Sequence, residues 1–348
     1  MPNIAVINAL NERNDSPEFF YIGENNSIEQ RLIKKLNVRF FCINAGKLRR
    51  YFSLQNFLDI FKVVVGFFQA IFLLLKLRPD LVFAKGGYVS VPVVVAAWIL
   101  RIPIFIHESD VSPGLSTRIC SRFAREIFVS FRETKISPSI PQAKIHVVGN
   151  PIRSELLEGD KRKGYEFTGF SPKLPVVLFS GGSTGALSLN ELLYKALPEL
   201  LLHVQVVHIT GPHTSHIKNS HYRAFEFLED EFADIYAISD LSVGRAGSGS
   251  IFELLALQIP MILIPLGRDA SRGDQIENAM VFERNGWAVM LDQKELTSEK
   301  LCGEILKLLN DKKALHAMRE HQSKSNLNNA AAILADRIGS LKIFHRKS

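Results

Sequence analysis

Two glycine-rich loops in the second half of the chain contain the residue types that bind phosphate. Residues 180–186 follow the apolar run 176–179, and residues 244–250 follow the run 241–243. Glycines between a strand and a helix let backbone N–H groups face an anion, which the helix N-terminus also stabilises. The first loop lacks a following Gly-Lys-Ser/Thr and the second lacks G-x-G-x-x-G spacing, which argues against ATP and NAD. Either loop could instead be a tight turn without a ligand.

Polar side chains near these loops suit a ligand that is rich in hydroxyl groups. Glu253 lies in the early turns of the helix predicted for residues 250–257, where its carboxylate could accept two hydrogen bonds from a ribose diol. It could instead only stabilise the helix N-terminus. Gln275 and Asn278 are three residues apart and therefore share a helix face, which is also typical of a solvated helix start.

In the first half of the chain, polar residues follow two further apolar runs. Residues 85–90 read KGGYVS and residues 107–110 read HESD. On a strand, His107 and Glu108 would point in opposite directions, whereas in a loop at a strand end they could converge. The alternative is a buried histidine with a backbone partner.

Metal binding is not expected. The histidines at positions 203, 208, 213, 216 and 221 mix strand and loop positions and have no carboxylate partner in the sequence pattern. The absence of Asp-x-Asp argues against a metal-bridged diphosphate. The three cysteines lie far apart without a CxxC pair, which excludes a disulfide scaffold or a zinc ribbon and fits a reducing compartment. We therefore expect neither a metal nor another cofactor.

The elements that must position these residues follow from the alternation of short apolar runs with longer helical stretches. This alternation predicts an α/β fold with parallel sheets covered by helices, including a strand at residues 225–228. The 348 residues suffice for two domains. We predict an N-terminal domain at residues 1–157, a polar linker at 158–174 and a C-terminal domain at 175–348, whose last helix can pack back on the N-terminal domain. Ligands of such sheets bind at the carboxyl ends of strands, so the cleft between the domains is the expected site.

A long apolar segment at residues 57–77 has two possible roles. Residues 63–75 are apolar except for Gln69, but flanking charges leave fewer than the roughly 20 apolar residues that a membrane span needs. The segment is therefore either a buried helix or a helix with one face on a membrane. The net charge of +7 favours an anionic partner. A basic cluster precedes the segment and consists of Arg31, Lys34, Lys35, Arg39, Lys47, Arg49 and Arg50.

Together these motifs resemble the MurG family, which transfers N-acetylglucosamine to lipid I in peptidoglycan synthesis, and the similarity extends over nearly the whole chain. The resemblance implies two doubly wound Rossmann-like domains that face a central cleft, the GT-B glycosyltransferase fold. UDP-N-acetylglucosamine would bind the C-terminal half and the lipid acceptor the N-terminal half. The motifs that carry the resemblance are Gly86–Ser90, His107-Glu108, Gly149–Arg153, Gly181–Ala186, Ala246–Glu253 and Asp274–Ala279.

The resemblance also implies roles for single residues. Glu253 would hold the ribose hydroxyls, Leu228 would contact the uracil through its backbone, and Gln275 would bind the sugar hydroxyls. The remaining residues expected on the donor side are Asp110, Arg153, Ser183, Ser248, Gly249, Ser250, Ile251, Phe252 and Asn278. The residues expected on the acceptor side are Gly86, Gly87 and Tyr88.

The chain departs from the family pattern in three places. Thr184 stands where the family has Gln, and Ser109-Asp110 stand where it has Gln-Asn. Asp110 would accept but not donate a hydrogen bond and would repel a diphosphate. The family opens with a strand and a glycine-rich loop that carries the proposed general base, and this chain is expected to start after that loop. His107 or Glu108 would then be the candidate base, and the chain is expected to bind nucleotide but to transfer sugar slowly.

The first hypothesis is an inverting N-acetylglucosaminyltransferase, peripheral on the cytoplasmic face of the bacterial cell membrane. Its expected partners are UDP-N-acetylglucosamine, lipid I and the anionic inner membrane surface, and nucleic acid is not among them. One alternative is a UDP-N-acetylglucosamine 2-epimerase, which shares the architecture but is disfavoured by the apolar and basic segments and by the Gly86-Gly87-Tyr88 motif. Another is a non-catalytic protein that binds a UDP-sugar or is recruited to the membrane.

Overall fold

The computed structural model describes residues 2–13, 17–25, 27–46, 54–182, 186–212, 217–268 and 271–341. The chain forms two compact units. Unit 1 comprises Met1–Pro151 and Asn329–Ser348, and unit 2 comprises Ile152–Asn328. All paired strands of the named sheets run parallel and alternate along the chain with helices, so the predicted α/β class is confirmed.

Unit 1 contains a four-stranded parallel sheet of order β3-β4-β5-β6 and a separate parallel pair, β1-β2. The strands are β1 (Phe20–Gly23), β2 (Arg39–Cys42), β3 (Val82–Ala84), β4 (Ile104–Glu108), β5 (Glu126–Val129) and β6 (Ile145–Val147). The helices are α1 (Pro2–Asn11), α2 (Ile28–Lys35), α3 (Leu54–Leu77), α4 (Ser90–Ile99) and α5 (Leu115–Cys120). All five residues of β4 are buried, including His107 and Glu108 at its carboxyl end, as expected for a central strand of a parallel sheet.

Unit 2 is built on a six-stranded parallel sheet of order β12-β11-β10-β7-β8-β9. Its strands are β7 (Val176–Ser180), β8 (Gln205–Ile209), β9 (Tyr222–Phe225), β10 (Leu241–Gly244), β11 (Met261–Leu263) and β12 (Val289–Met290). Its helices are α6 (Lys161–Thr168), α7 (Leu187–Leu200), α8 (Phe232–Ile238), α9 (Ser248–Ala256), α10 (Asp274–Arg284), α11 (Ser298–Asn310) and α12 (Lys312–Ser323). The strand order reverses at β7, which has β8 on one side and β10 on the other, and ligands of open α/β sheets bind at such a point.

The last helix, α13 (Ala330–Gly339), returns to unit 1 and packs against α1. Leu334 of α13 shares an apolar cluster with Val6 and Leu10 of α1 and with Phe105 of β4. Helix α13 therefore contributes to the core of unit 1.

Two segments differ from the sequence-based expectation. Residues 158–174, predicted as a linker, contain α6, whose N-cap Asp160 accepts hydrogen bonds from the amides of Arg162 and Lys163. Helix α6 packs against α8, and the units divide between Pro151 and Ile152. The strand predicted at residues 225–228 was placed too late, because the pairing with β8 uses Tyr222–Phe225.

Candidate functional site

The two glycine-rich loops of unit 2 start side by side, because Ser180 at the end of β7 pairs with Gly244 at the end of β10. A Cβ on Gly244 would lie 2.3 Å from the carbonyl oxygen of Ser180, so this approach requires glycine. Ser183, which was expected to face the diphosphate, lies outside the described residues together with Thr184 and Gly185.

The loop after β10 leads directly into α9. The hydrogen-bond ladder of α9 begins with the amide of Ile251 donating to the carbonyl of Gly247, so the amides of Gly249 and Ser250 lie outside the ladder. A Cβ on Gly249 would meet no described atom within 4 Å. The space at this helix N-terminus is therefore open in unit 2, and a ligand anion could approach the backbone there.

Two of the predicted nucleotide-binding residues, Glu253 and Arg153, lie close together although 100 positions separate them in the sequence. The hydroxyl of Tyr236 in α8 donates to Oε2 of Glu253 at 3.0 Å. Burial raises the pKa of the Glu253 carboxyl, whereas the Arg153 charge and the Tyr236 hydrogen bond act in the opposite direction. The Nε of Arg153 is buried without a hydrogen-bond partner among the described residues, so it is available to a ligand oxygen.

The second loop also contains a buried arginine, Arg245, to which the sequence pattern assigned no role. The guanidinium of Arg245 donates to the carbonyl of Ile264 at 2.9 Å, to Oε1 of Gln293 at 2.6 Å and to Oγ of Ser188 at 3.4 Å. These acceptors are neutral and do not cancel its charge. Arg245 therefore adds positive potential next to the amino end of α9.

Other predicted donor-side residues have structural contacts. The side chain of Asn278 is fully buried, and its amide nitrogen donates to the carbonyl of Ala246 at 3.3 Å, a contact that ties α10 to the loop after β10. Gln275 is only partly buried, and its Oε1 accepts from the amide of Leu266 at 3.0 Å. Its amide nitrogen can still donate to a ligand hydroxyl.

Three further predicted residues have buried side chains. Phe252 packs edge to face against Phe282 with ring centroids 5.5 Å apart, and Ile251 is fully buried. Leu228, which follows β9, is also buried. The side chains of Ile251 and Phe252 therefore belong to the core, whereas a backbone contact, as expected for Leu228, is compatible with burial.

In unit 1, the turn after β3 depends on two successive glycines. Gly86 and Gly87 have φ angles of 86° and 80°, in the left-handed region that glycine tolerates best. The turn leads into α4, where the hydroxyl of Ser90 donates to the carbonyl of Gly86 at 2.5 Å. The hydroxyl of Tyr88 donates to the carboxylate of Glu24, which follows β1. This hydrogen bond links the turn to the segment after β1.

His107 has hydrogen-bond partners at both ring nitrogens. Its Nε2 lies 2.9 Å from the carbonyl oxygen of Gly149, which can only accept, so Nε2 carries the proton. Its Nδ1 lies 2.9 Å from Nζ of Lys85. The side chain is fully buried, and burial and the Lys85 charge lower its pKa well below the usual value. This geometry does not favour His107 as a general base.

Glu108 closes the loop that follows β4. Its Oε1 accepts from the amides of Ser109 at 2.9 Å and Asp110 at 3.1 Å, and its Oε2 accepts from the amide of Gly114 at 3.4 Å. Burial raises its pKa, and hydrogen bonds from the Thr117 side chain and from the amides of Asp110 and Gly114 oppose the rise. Glu108 thus organises residues 109–114 rather than exposing a free basic atom.

No group of three or more histidine, cysteine, aspartate or glutamate side chains that could hold a metal occurs among the described residues. Within the same ranges, no helix is both long and apolar enough to cross a membrane.

Comparison with known proteins places both units in one family. Residues 1–129 match the glycosyltransferase family 28 N-terminal domain, and residues 176–334 match the C-terminal domain of that family. A protein of Bacillus cereus (strain ATCC 10987 / NRS 248) is 43% identical over 340 residues, which cover 93% of this chain and 96% of the relative. It is named UDP-N-acetylglucosamine--N-acetylmuramyl-(pentapeptide) pyrophosphoryl-undecaprenol N-acetylglucosamine transferase 2. A Staphylococcus aureus (strain MRSA252) protein of the same name, without the number, is 44% identical over 84% of this chain and 82% of its own.

Solved structures show the same fold. The crystal structure of Acinetobacter baumannii MurG has a TM-score of 0.73 at 24% identity, covering 97% of this chain and 95% of that one. A UDP-GlcNAc 2-epimerase from Neisseria meningitidis has a TM-score of 0.69 at 15% identity, covering 96% of this chain and 94% of that one. At these identities the likeness concerns the fold alone.

The two parallel α/β units and the two matched domains define a hexosyltransferase with the GT-B fold, as predicted. Within glycosyltransferase family 28, the chain belongs to the MurG family of N-acetylglucosamine transferases. The resemblance inferred from the sequence motifs is confirmed.

Proposed function

We propose that the protein transfers N-acetylglucosamine from UDP-N-acetylglucosamine to lipid I, which gives lipid II and UDP. The observation that carries this proposal is the 43% identity to a transferase of that name over 93% of the chain. The hydroxyl of the acceptor sugar attacks the anomeric carbon, the bond to the diphosphate breaks, and the configuration at that carbon inverts.

Unit 2 holds the nucleotide. The carboxylate of Glu253 accepts from the ribose hydroxyls with Oε1, because its Oε2 already accepts from Tyr236. Arg153 lies close enough to this carboxylate to lower its pKa. Its Nε, which has no hydrogen-bond partner within the described part of the chain, can donate to a carbonyl or phosphate oxygen. Leu228 contributes its backbone to the base, and Gln275 contributes its amide to the sugar hydroxyls.

The diphosphate leaves as a stabilised anion. The amides of Gly249 and Ser250 at the amino end of α9 donate to its oxygens, together with Ser183 and Ser248 from the two loops. Arg245 adds a positive charge that is already in place before the reaction. Donors held rigidly where negative charge develops lower the barrier without any rearrangement during the reaction.

Unit 1 holds the acceptor at the carboxyl ends of β3 and β4. We propose that Gly86, Gly87 and Tyr88 contact the acceptor and that Asp110 faces the reacting groups. His107 and Glu108 are positioning residues in this proposal, because the ring nitrogens of His107 and both carboxylate oxygens of Glu108 already have partners.

One face of α3 supports attachment to a membrane surface. Gly66, Ala70 and Leu74 are buried, which places that side of α3 on the core. The opposite side bears large apolar side chains that are 45–71% exposed. An exposed apolar stripe on a surface helix marks an interaction site, and the acceptor of the proposed reaction is itself a membrane lipid. The stripe consists of Val64, Val65, Phe68, Phe72 and Leu75.

Cations lie next to a second apolar surface on α4, which packs against α3. Trp98 is 54% exposed, and its ring centroid lies 5.1 Å from that of Phe123. Together with Arg101, Arg125 and Lys144, these rings line an open groove of about 480 Å³. Apolar side chains with adjacent cations fit an anionic leaflet. We therefore propose that the protein is peripheral on the cytoplasmic face of the cell membrane. Of the predicted basic cluster, Lys47, Arg49 and Arg50 lie outside the described residues.

The test is transfer of radiolabelled N-acetylglucosamine from UDP-N-acetylglucosamine to a lipid I analogue with a short polyprenyl chain. The expected result is a labelled lipid product with the inverted anomeric configuration and one UDP released per product. UDP release without labelled lipid would refute the transfer, and formation of the 2-epimer of the sugar nucleotide would favour the epimerase reading.

A further inference from the structure

Three loops at the carboxyl edge of the unit 1 sheet meet at one lysine. Lys85 directly follows β3, and its Nζ donates to Oδ1 of Asn150 at 2.7 Å and to the hydroxyl oxygen of Ser109. The same Nζ lies 2.9 Å from Nδ1 of His107. Ser109 follows β4 and Asn150 follows β6, so the lysine joins segments from three strands of one sheet.

The hydrogen bonds around Lys85 suit a charged amine. The Nδ1 of His107 must accept, because Nε2 carries the proton that goes to Gly149. Ser109 can donate its own hydroxyl proton to Asn150 Oδ1 at 3.3 Å, which leaves its lone pairs for Lys85. With Ser109 donating to Asn150, three acceptors use three hydrogens, the full number on an ammonium group. A neutral amine has only two hydrogens, and Ser109 would then have to turn its hydroxyl proton to the lone pair of Nζ.

An ammonium group in this place is costly as a packing element. Asn150 and His107 are fully or almost fully buried, and removing a charge from water carries a large free-energy penalty unless hydrogen bonds compensate it. A methionine of similar length would fill the same space without that penalty. What the ammonium group adds over such a side chain is a fixed arrangement of its three acceptors.

We propose that Lys85 is a positioning residue for the sugar transfer. It fixes the turn at Gly86–Gly87 and the loop at residues 109–114 relative to each other on the acceptor side. The inference rests on the proposed transfer to lipid I. Lys85 precedes the turn, and Ser109 opens the loop that contains Asp110. A displacement of about 1 Å in such groups can cost about a hundredfold in rate, because the reacting atoms lose their alignment.

The kinetic test compares Lys85→Met with Lys163→Met, a control at an exposed lysine of α6 in unit 2. Lys85→Met should lower kcat/KM for the lipid I analogue by about tenfold or more while the calorimetric Kd for UDP-N-acetylglucosamine stays within about twofold. Ser109→Ala should cause part of the same loss, and the double variant should lose less than the product of the two. Equal losses of donor affinity and transfer would indicate general damage and overturn the proposal.

A pH profile gives a second readout that packing alone would not move. Burial lowers the pKa of Lys85 to about 7, opposed by the charges of Glu108 and Asp110. Within the described residues, the titratable groups that face it are these two carboxyls and His107. As pH rises through that value, the amine keeps two hydrogens, so the hydrogen bond to Ser109 is lost or reversed and the charged arrangement of the loops ends. The kcat of the wild type should therefore fall above neutral pH, and the fall should be absent in Lys85→Met.

Nitrogen-15 spectra of the full chain test the positioning independently of transfer. His107, assigned with His107→Gln, should show a protonated Nε2 and a hydrogen-bonded Nδ1, and the Nδ1 resonance should shift in Lys85→Met. The amides of Ser109 and Asp110 should also exchange faster. If Lys85→Met does not fold, Ser109→Ala decides through the same amide and kinetic readouts.

The outcomes separate the two proposals. A wild-type chain without transfer would refute the proposed function, while the His107 and amide readouts would still test whether Lys85 holds these loops. The role of Lys85 would be overturned if Lys85→Met left the His107 resonances, the amide exchange and the acceptor kinetics unchanged. If that variant does not fold, unchanged amide exchange and kinetics in Ser109→Ala would overturn it.

Discussion

Replacement of Glu253 by alanine should weaken nucleotide binding without altering the fold. Two hydrogen bonds from the ribose hydroxyls to a carboxylate, each contributing about 1.5–3 kcal/mol, correspond to about 3–6 kcal/mol in total. That free energy equals roughly 10²–10⁴ in Kd. The lower part of this range is expected, because the buried carboxylate already bears a desolvation cost that raises its pKa.

Calorimetric titration with UDP-N-acetylglucosamine and with a 2′,3′-dideoxy analogue of UDP measures this loss. Glu253→Ala should affect the first ligand strongly and the second weakly, because the dideoxy analogue has no ribose hydroxyls to lose. The exposed carboxylate of Glu191 on α7 provides the matched control, and Glu191→Ala should bind both ligands like the wild type. An unchanged Kd for UDP-N-acetylglucosamine in Glu253→Ala, with an unchanged circular dichroism spectrum, would refute the ribose assignment.

The hydroxyl of Tyr236 adds a pH test to this prediction. The raised pKa of Glu253 means that donor affinity should fall as pH decreases through that pKa, since the protonated carboxyl loses its charge. Tyr236→Phe removes a hydrogen bond that lowers this pKa, so the fall in affinity should begin at a higher pH than in the wild type. Overlapping pH profiles of Tyr236→Phe and the wild type would contradict the assigned contact.

Three further predictions concern other parts of the molecule. The double variant Phe68→Ser/Phe72→Ser should sediment less with anionic vesicles than the wild type. The control Leu202→Ser, at an exposed leucine of unit 2, should sediment like the wild type. Equal sedimentation of all three proteins would exclude the α3 stripe as the membrane-binding surface. EDTA should leave transfer activity intact, because backbone amides and Arg245 supply the positive potential, and loss that magnesium restores would contradict this. Because folding lowers the pKa of Lys85 from 10.5 to about 7, the unfolded chain binds more protons between these values. The free energy of unfolding should therefore rise with pH there in the wild type, and denaturant titrations of Lys85→Met should show less of that rise.

Local patterns in the sequence predicted most of the fold and part of the candidate site. The alternation of apolar runs and helical stretches indicated parallel sheets, and both units contain one. Glycines after β7 and β10 indicated two loops at strand ends, which the structure places side by side. The helix at residues 161–168 was missed because its sequence is short and polar, and its stability depends on the N-cap of Asp160 and on contacts with α8.

The exposed stripe on α3 shows how composition leaves a question that packing answers. Its apolar sequence fits either a buried helix or a surface helix. The structure buries Ala70 and exposes Phe68 and Phe72. Gln69, the polar interruption, accepts from the amide of Asn44 after β2 at 2.8 Å. This contact with a segment 25 residues away accounts for a residue that the sequence pattern could not interpret.

The sequence by itself determined which segments end strands and begin helices, because those choices depend on periodicity and on glycine within a few residues. Only the tertiary structure decided which distant side chains meet, because strand order and register bring them together. Arg153 approaches Glu253 across 100 positions, and Lys85 reaches Asn150 across 65. The same contacts decide the protonation state of a side chain. From the sequence alone His107 is a candidate general base, but between Lys85 and Gly149 it is a buried, neutral ring whose two nitrogens both have hydrogen-bond partners.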